Sequence, residues 1–149
     1  MENQRSIESD LGYLLTRAGM LVVRATNEAL APLELRTRSY TALSLACDRP
    51  DGVPQRQVAA DMGLDPSQLV AIIDELEQRK LVARTPDPND RRNKLIVATA
   101  AGRDLCAVAA RRSAEVTERY FGSVDPAALD QMREMLGQAV FPDTDRILR

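Results

Sequence analysis

Apolar residues return every three or four positions along most of this chain, which predicts amphipathic helices. The first helix is expected over residues 7–30, where Pro32 closes it. The same spacing predicts further helices over about 37–47, 54–62, 65–79 and 102–121, and from residue 126 onward. Because a long terminal helix with a broad apolar face needs a large partner, a second subunit is one candidate for covering it.

The ends of these predicted helices carry their own signals. Thr37 is expected to cap the second helix, and Gly63 ends the third because glycine tolerates the left-handed conformation of a helix C-terminus. Asp65 caps the fourth helix, with Pro66 as its first residue. Asp125 is expected to cap the last helix in the same way.

The apolar period changes after residue 80. Residues 81–84 and 95–99 are β-prone, and the loop between them is rich in turn formers. They predict a single β-hairpin directly after a helix pair. The predicted fold is therefore mostly α, in the order helix, helix, helix, helix, hairpin, helix, helix.

Residues 55–74 meet the requirements of a helix–turn–helix. Ala59 is small enough for two helices to cross, and Gly63, four positions later, tolerates a positive φ in the turn. The apolar residues spaced to lock the second helix onto the first are Val58, Leu64, Leu69 and Ile72. An ordinary αα-hairpin with a glycine turn would share these features, but the hairpin that follows favours a winged helix–turn–helix.

The predicted wing tip, residues 87–94, carries three cations in four positions, Arg91, Arg92 and Lys94. Such a loop is either a solvated charged turn or a DNA contact, in which an arginine enters the minor groove and its neighbours meet phosphates. In the second case Asp90 would hold an arginine side chain in one conformation and reduce the entropy lost on binding.

The distribution of charge agrees with a DNA contact, although the 149-residue chain has a formal net charge of −2. Residues 79–112 hold nine Lys or Arg and three Asp or Glu, whereas the segments on both sides are net acidic. One basic surface on an otherwise acidic protein is typical of a chain that meets a polyanion on one side.

Composition excludes several other chemistries. The chain has no histidine, and therefore no Ser-His-Asp triad and no histidine-ligated metal. It also has no phosphate loop or nucleotide fingerprint, so we expect no enzyme, cofactor or metal. Cys47 and Cys106 lie far apart in sequence and are interpreted as buried thiols in a reducing compartment. Without an apolar leader or a membrane-length apolar run, a cytoplasmic protein is expected.

Residues 64–102 resemble the recognition helix and wing of the MarR family of bacterial transcriptional regulators. The matching elements are Asp65-Pro66-Ser67, Asp74-x-Leu76-Glu77, Leu81-Val82-x-Arg84, Asp90-x-Arg92 and Thr99-x-x-Gly102. The resemblance implies a ligand-responsive repressor that binds a palindromic operator as an obligate homodimer. It also implies that residues 1–35 and 103–149 are dimerisation helices and that residues 36–102 form the DNA-binding domain.

The expected DNA contacts lie on the recognition helix, at its two ends and on the wing. They are Gln55, Arg56, Pro66, Ser67, Gln68, Val70, Ala71, Arg79, Lys80, Arg84, Asp90, Arg91, Arg92 and Lys94. Ala71 and Lys80 stand where many relatives carry arginine and glycine. Base reading therefore falls to Ser67 and Gln68, with Val70 or Ala71 against a thymine methyl, and affinity is expected to depend mainly on the wing.

The resemblance also implies a small-molecule site between the dimerisation helices and the winged lobe. We expect Arg36 and Arg38 to bind an anion at the start of the second helix, with Tyr13, Arg17 and Tyr40 nearby. The favoured effector is an aromatic acid or its acyl-CoA thioester. The alternative is that Arg36 and Arg38 are solvated or contact phosphates.

Two further functions stay open. A winged helix can act as a protein-interaction module without DNA. Some relatives sense oxidants through a cysteine in the first helix, but the first helix of this chain has none. Asp48 beside Cys47 is expected to raise the pKa of that thiol, which disfavours a thiol-based redox regulator.

Overall fold

The structure is a computed structural model and describes residues 6–141. Its helices are α1 (Leu11–Leu30), α2 (Thr37–Cys47), α3 (Gln55–Asp61), α4 (Pro66–Gln78), α5 (Ala100–Phe121) and α6 (Pro126–Val140). Its strands are β1 (Val53–Pro54), β2 (Val82–Pro86) and β3 (Lys94–Ala98). The predicted mostly α winged helix–turn–helix architecture is confirmed, with one strand more than expected.

The additional strand makes the wing part of a three-stranded antiparallel sheet in the order β1-β3-β2. β2 pairs with β3 from Val82 opposite Ala98 to Pro86 opposite Lys94, and β1 joins through Val53 opposite Ile96. The prediction of a two-stranded hairpin alone was wrong in this respect. A strand of two residues is too short to show the alternation by which strands are found in sequence.

The first helix is shorter than the predicted 7–30. Residues Ile7–Ser9 form a 3-10 turn, and the extended backbone of Asp10 separates it from α1. The Asp10 carboxylate accepts a hydrogen bond from the Tyr13 backbone N–H at 2.8 Å, and so caps α1. At its other end α1 passes into a second 3-10 turn, Ala31–Leu33, which closes at Glu34 in the left-handed region, with φ of 53°.

The start of α2 differs from the expected cap. Arg36 is the capping residue, and its backbone N–H donates to the Ser39 hydroxyl at 3.1 Å. Thr37, predicted to be the cap, is instead the first helical residue. Its backbone N–H and its hydroxyl both donate to Asn27 Oδ1, at 2.8 and 2.9 Å. These two bonds attach α2 to the last turns of α1.

One hydrophobic core lies between the helices and the sheet, and it contains residues from α2, α3, α4, α5 and all three strands. Its largest fully buried side chains include Leu30, Leu35, Leu43, Leu69, Ile73, Leu76, Ile96, Val53, Val58 and Val82. This core fixes α4 and the wing on one body. It is built largely from aliphatic side chains, as the low aromatic content of 3% requires.

The helix α5 begins where the chain approaches itself closely. A Cβ added at Gly102 would lie 2.0 Å from the Leu81 carbonyl oxygen, so only glycine fits there. The Thr99 hydroxyl accepts from the Gly102 backbone N–H at 3.0 Å and donates to the Lys80 carbonyl oxygen at 2.7 Å. These contacts join the end of the wing to the segment that follows α4.

Two helices leave large apolar side chains uncovered. On α1 the buried residues, Ala25, Thr26 and Leu30, lie near its end. The earlier turns expose Leu11, Tyr13, Leu14, Leu15, Met20 and Val23. On α6 no side chain is buried, and Met135, Leu136 and Val140 are exposed. Apolar faces of this size are typical of surfaces that contact another molecule.

The chain divides into two compact units, residues up to Val116 and residues from Thr117 onward. Within residues 6–141, no helix has the length and apolar character needed to cross a membrane. The same part of the chain contains no group of three or more metal-ligating side chains.

Candidate nucleic-acid interface

The turn between α3 and α4 has the predicted geometry. Gly63 adopts φ of 62°, and the Leu64 backbone N–H donates to the Ala59 carbonyl oxygen at 2.9 Å. Ala59 is 2% exposed, as expected for a small residue at a helix crossing. Val58 and Leu69 are fully buried, whereas Leu64 and Ile72 are only half-buried. The buried neighbour Ile73, which the sequence pattern did not single out, completes the contact of α4 with the core.

The N-terminus of α4 presents the residues expected to read bases. Pro66, Ser67, Val70 and Ala71 are exposed on the surface of this helix. Gln68 is exposed too, but its side-chain oxygen accepts from the Asp65 backbone N–H at 3.3 Å and closes a capping box. A bidentate contact to adenine would use that same oxygen, so Gln68 must give up this long bond before it can read a base.

Arg84, at the centre of β2, is held by acidic side chains of α4. Its Nη1 donates to Glu77 Oε2 at 2.5 Å, and its Nη2 donates to Asp74 Oδ1 at 2.6 Å. Its Nε donates to Gln55 Oε1 at 3.1 Å, which connects α3 to the same cluster. Gln55 and Arg84 were both expected at DNA. The structure brings them together in a polar cluster that joins both helices of the helix–turn–helix to the wing.

Electrostatics within this cluster favour the charged forms. Hydrogen bonds from the backbone and side chain of Arg84 hold the pKa of Glu77 below its ordinary value. Burial alone lowers the pKa of Arg84, but its hydrogen bonds to Asp74 and Glu77 outweigh that effect and raise it. The cluster therefore stays ionised at neutral pH.

Arg79, the residue that ends α4, is also engaged inside the protein. Its Nη1 donates to the Glu34 carbonyl oxygen at 2.6 Å and its Nη2 to the Leu33 carbonyl oxygen at 3.0 Å. The next residue, Lys80, is exposed and has a left-handed backbone, with φ of 59°. Of these two neighbouring cations, Lys80 is the one that faces solvent.

The wing tip is organised by Asp90. Its carboxylate accepts from the Arg92 backbone N–H at 3.1 Å, from the Arg92 Nε at 3.4 Å and from the Asn93 side-chain amide at 3.2 Å. The Arg92 side chain is nevertheless 93% exposed. Asp90 thus shapes the turn while Arg92 projects from it, which is the arrangement expected of a wing arginine that enters a groove.

The wing and the start of α3 together form a cationic notch, defined by Pro54, Gln55, Arg56, Arg92, Asn93 and Lys94. Its cavity has a volume of about 220 Å³. Arg56 and Lys94 are far apart in the sequence, and the short strand β1 brings them to one site by pairing with β3. Because three cations line this notch, it suits a single phosphate group.

A larger cavity of about 490 Å³ lies where α1, α2 and α4 meet. Its lining comprises Asn27, Glu28, Ala31, Glu34, Leu35, Arg36, Ser39 and Glu75. Arg36 was expected at an effector site and is part of it. The other four expected residues lie elsewhere: Tyr13 and Arg17 are exposed on α1, Arg38 is exposed on α2, and Tyr40 packs against the core. The three carboxylates of the lining were missed because no spacing in the sequence connects them.

The two cysteines are neighbours despite their separation in sequence. Cys106 is buried, and its sulfur lies 3.5 Å from the Ser44 hydroxyl. Burial, together with the charge and hydrogen bond of Cys106, raises the pKa of Cys47 to about 12. Asp48 also raises the pKa of Cys47, as predicted, but it contributes less than burial does. A thiol of this kind carries almost no thiolate at neutral pH.

Comparison with known proteins agrees with this geometry. The MarR family model matches residues 38–94. A MarR-family transcriptional regulator from Rhodococcus sp. RHA1 is 48% identical, with 93% of this chain and 99% of that chain covered and a TM-score of 0.89. CouR from Rhodococcus jostii RHA1, bound to p-coumaroyl-CoA, is 47% identical over 94% of this chain and 98% of that one, with a TM-score of 0.88. A transcriptional repressor CouR bound to a 23-mer DNA duplex is 28% identical over 92% and 99%, with a TM-score of 0.78.

Fold and site together define a winged helix–turn–helix protein with a cationic wing. The chain belongs to the MarR family of transcriptional regulators. This membership confirms the resemblance seen in residues 64–102, and it agrees with the expectation of a regulator rather than an enzyme.

Proposed function

We propose that this chain is a repressor that binds a palindromic duplex as a homodimer, with α4 in the major groove and the wing at the minor groove. The observation that carries the proposal is the cationic notch of Arg56, Arg92 and Lys94, which lies beside the wing tip. Exposed Ser67 and Val70 on α4 supply base contacts, and the exposed cations supply phosphate contacts.

A homodimer accounts for the uncovered apolar faces of α1 and α6. Residues 1–35 and 103–149 act as the dimerisation helices and residues 36–102 as the DNA-binding domain. Two recognition helices then read two half-sites about one helical turn apart, which gives a short helix enough specificity. Sedimentation of the purified chain tests this directly, since a particle with the mass of a single chain would contradict it.

Selection from random duplexes, followed by fluorescence anisotropy with the selected duplex, tests DNA binding. The logarithm of affinity is expected to fall linearly with the logarithm of salt concentration. Arg92→Ala should weaken binding and reduce that slope, whereas Arg24→Ala, which removes an equally exposed arginine from α1, should leave both unchanged. An affinity indifferent to salt would instead indicate a protein-interaction module.

We propose an acyl-CoA thioester of an aromatic acid as the effector. This proposal rests on the 47% identity with CouR of Rhodococcus jostii RHA1, whose complex contains p-coumaroyl-CoA. Titration of the protein–DNA complex with p-coumaroyl-CoA should release the duplex, and p-coumarate or CoA alone should be weaker. Arg36→Ala is expected to reduce the response, and Arg38→Ala serves as its control, since Arg38 lies outside the cavity lining. No release by any of the three compounds would refute the effector class.

A further inference from the structure

The end of the recognition helix is attached to the turn between α1 and α2 by a single side chain. Arg79 donates from two guanidinium nitrogens to two consecutive carbonyl oxygens, those of Leu33 and Glu34. Donor and acceptors are more than forty residues apart in sequence, 45 for the bond to Glu34. We call this arrangement the Arg79 clamp.

The segment that the clamp holds has an unusual backbone. Glu34 adopts φ of 53°, a conformation that residues other than glycine seldom take unless the surroundings impose it. The Glu34 backbone N–H donates to Ala31, and the Leu35 backbone N–H donates to Leu30 at 3.3 Å. Leu35 itself is 2% exposed and belongs to the core. The Arg79 bonds add the fixed points on the carbonyl side of this turn.

The same segment forms a wall of the larger cavity. Glu34 and Leu35 line that cavity together with Glu75, which lies one turn before Arg79 on α4. The cavity therefore contacts both the recognition helix and the residue whose carbonyl the clamp uses. Any occupant that displaces the turn acts on the acceptors of Arg79.

We propose that Arg79 is a positioning residue that sets the recognition helix against the cavity wall, and that it is not a phosphate ligand. The inference rests on the proposed function, because it takes α4 as the DNA-reading helix. Its consequence is that the geometry of residues 33–35 and the affinity for DNA are coupled through two hydrogen bonds. The adjacent cation, Lys80, is exposed and free of this constraint, and so offers a matched comparison.

Salt dependence separates the two roles of an arginine. Loss of a phosphate contact lowers the slope of log affinity against log salt by about 0.9, whereas loss of a positioning contact lowers affinity at every salt concentration alike. With the selected duplex, Arg79→Gln is expected to weaken binding about tenfold at an unchanged slope. Arg79→Lys should recover part of the loss, because its ammonium can still donate to the carbonyls. For Lys80→Gln we expect a lower slope.

Hydrogen exchange tests the clamp without DNA. In Arg79→Gln, the amides of residues 33–36 should exchange faster than in the native protein, whereas Lys80→Gln should leave them unchanged. Unaltered exchange in Arg79→Gln would overturn the clamp itself. A slope reduced by about 0.9, or an affinity that does not change, would overturn its positioning role. If the native protein binds no duplex while exchange responds as expected, the proposed function fails and the clamp stands as a structural contact only.

Discussion

Arg84 offers the sharpest test of how the helix–turn–helix and the wing are joined. The substitution Arg84→Met keeps most of the side-chain volume and removes the charge and all five N–H donors. It leaves Asp74 and Glu77 of α4 without their partner, and it frees Gln55 of α3. The Arg84 side chain is 20% exposed, so water replaces these contacts only in part.

The expected cost follows from the exposure of each partner. Asp74 and Glu77 are 50% and 40% exposed, which places each ion pair near the upper end of the surface range, at about 1 kcal/mol. The neutral bond to Gln55 adds about 1 kcal/mol. A loss of roughly 2–3 kcal/mol corresponds to a fall in Tm of about 4–12 °C for a chain of this size.

The pH dependence has a definite sign. Because Arg84 lowers the pKa of Glu77 in the folded state, the stabilisation is fully present above the unfolded pKa of glutamate, about 4.3, and is lost as pH falls through the lower folded value. The difference in stability between the native protein and Arg84→Met should therefore be largest near neutral pH and shrink in acid below about pH 4.

Thermal unfolding followed by circular dichroism, at pH 7 and at pH 4, measures both effects. Arg92→Met is the matched control, since the side chain of Arg92 is 93% exposed and its loss should change stability by no more than about 0.5 kcal/mol. Equal melting temperatures for the two variants at pH 7, or a difference that does not depend on pH, would refute the structural role of Arg84.

Two further predictions concern buried positions. Gly102→Ala would place a Cβ 2.0 Å from the Leu81 carbonyl oxygen, so the denaturation midpoint in urea should fall, by an amount that reflects a loss of at least about 2 kcal/mol, and an unchanged midpoint would contradict the close approach. Because burial raises the pKa of Cys47 to about 12, iodoacetamide should label it far more slowly in the folded protein at pH 7 than in urea. Rapid labelling of the native thiol, or release of DNA by peroxide that dithiothreitol reverses, would support the redox alternative.

The parts of the fold that the sequence predicted are those with local signals. Gly63 with its positive φ, and Asp65 with Pro66 at the start of α4, act within one or two turns of the chain. Their meaning can be read from neighbouring residues. The strand Val53–Pro54 carries no such signal, because two residues show no period and the pairing partner lies more than forty residues further on.

The limits of the site prediction have the same origin. Sequence showed where the cations are, but a cation's role depends on what lies within reach of its donors. Arg79 finds backbone carbonyls 45 and 46 residues away, and Arg84 finds carboxylates on a different element. The nine Lys or Arg residues in 79–112 therefore overstate the charge available to a polyanion.

This partition of the cations sets an upper limit on the electrostatic contribution to DNA binding. Sequence analysis placed seven cations at the DNA in each chain, and two of them, Arg79 and Arg84, are engaged within the protein. Those that are exposed are Arg56, Lys80, Arg91, Arg92 and Lys94. If every exposed cation of a homodimer meets one phosphate, the slope of log affinity against log salt is about −9, against about −13 if all seven contribute. A measured slope steeper than about −9 would mean that Arg79 or Arg84 leaves its internal partners on binding. A shallower slope would mean that the wing cations and Lys80 do not all reach the backbone at once.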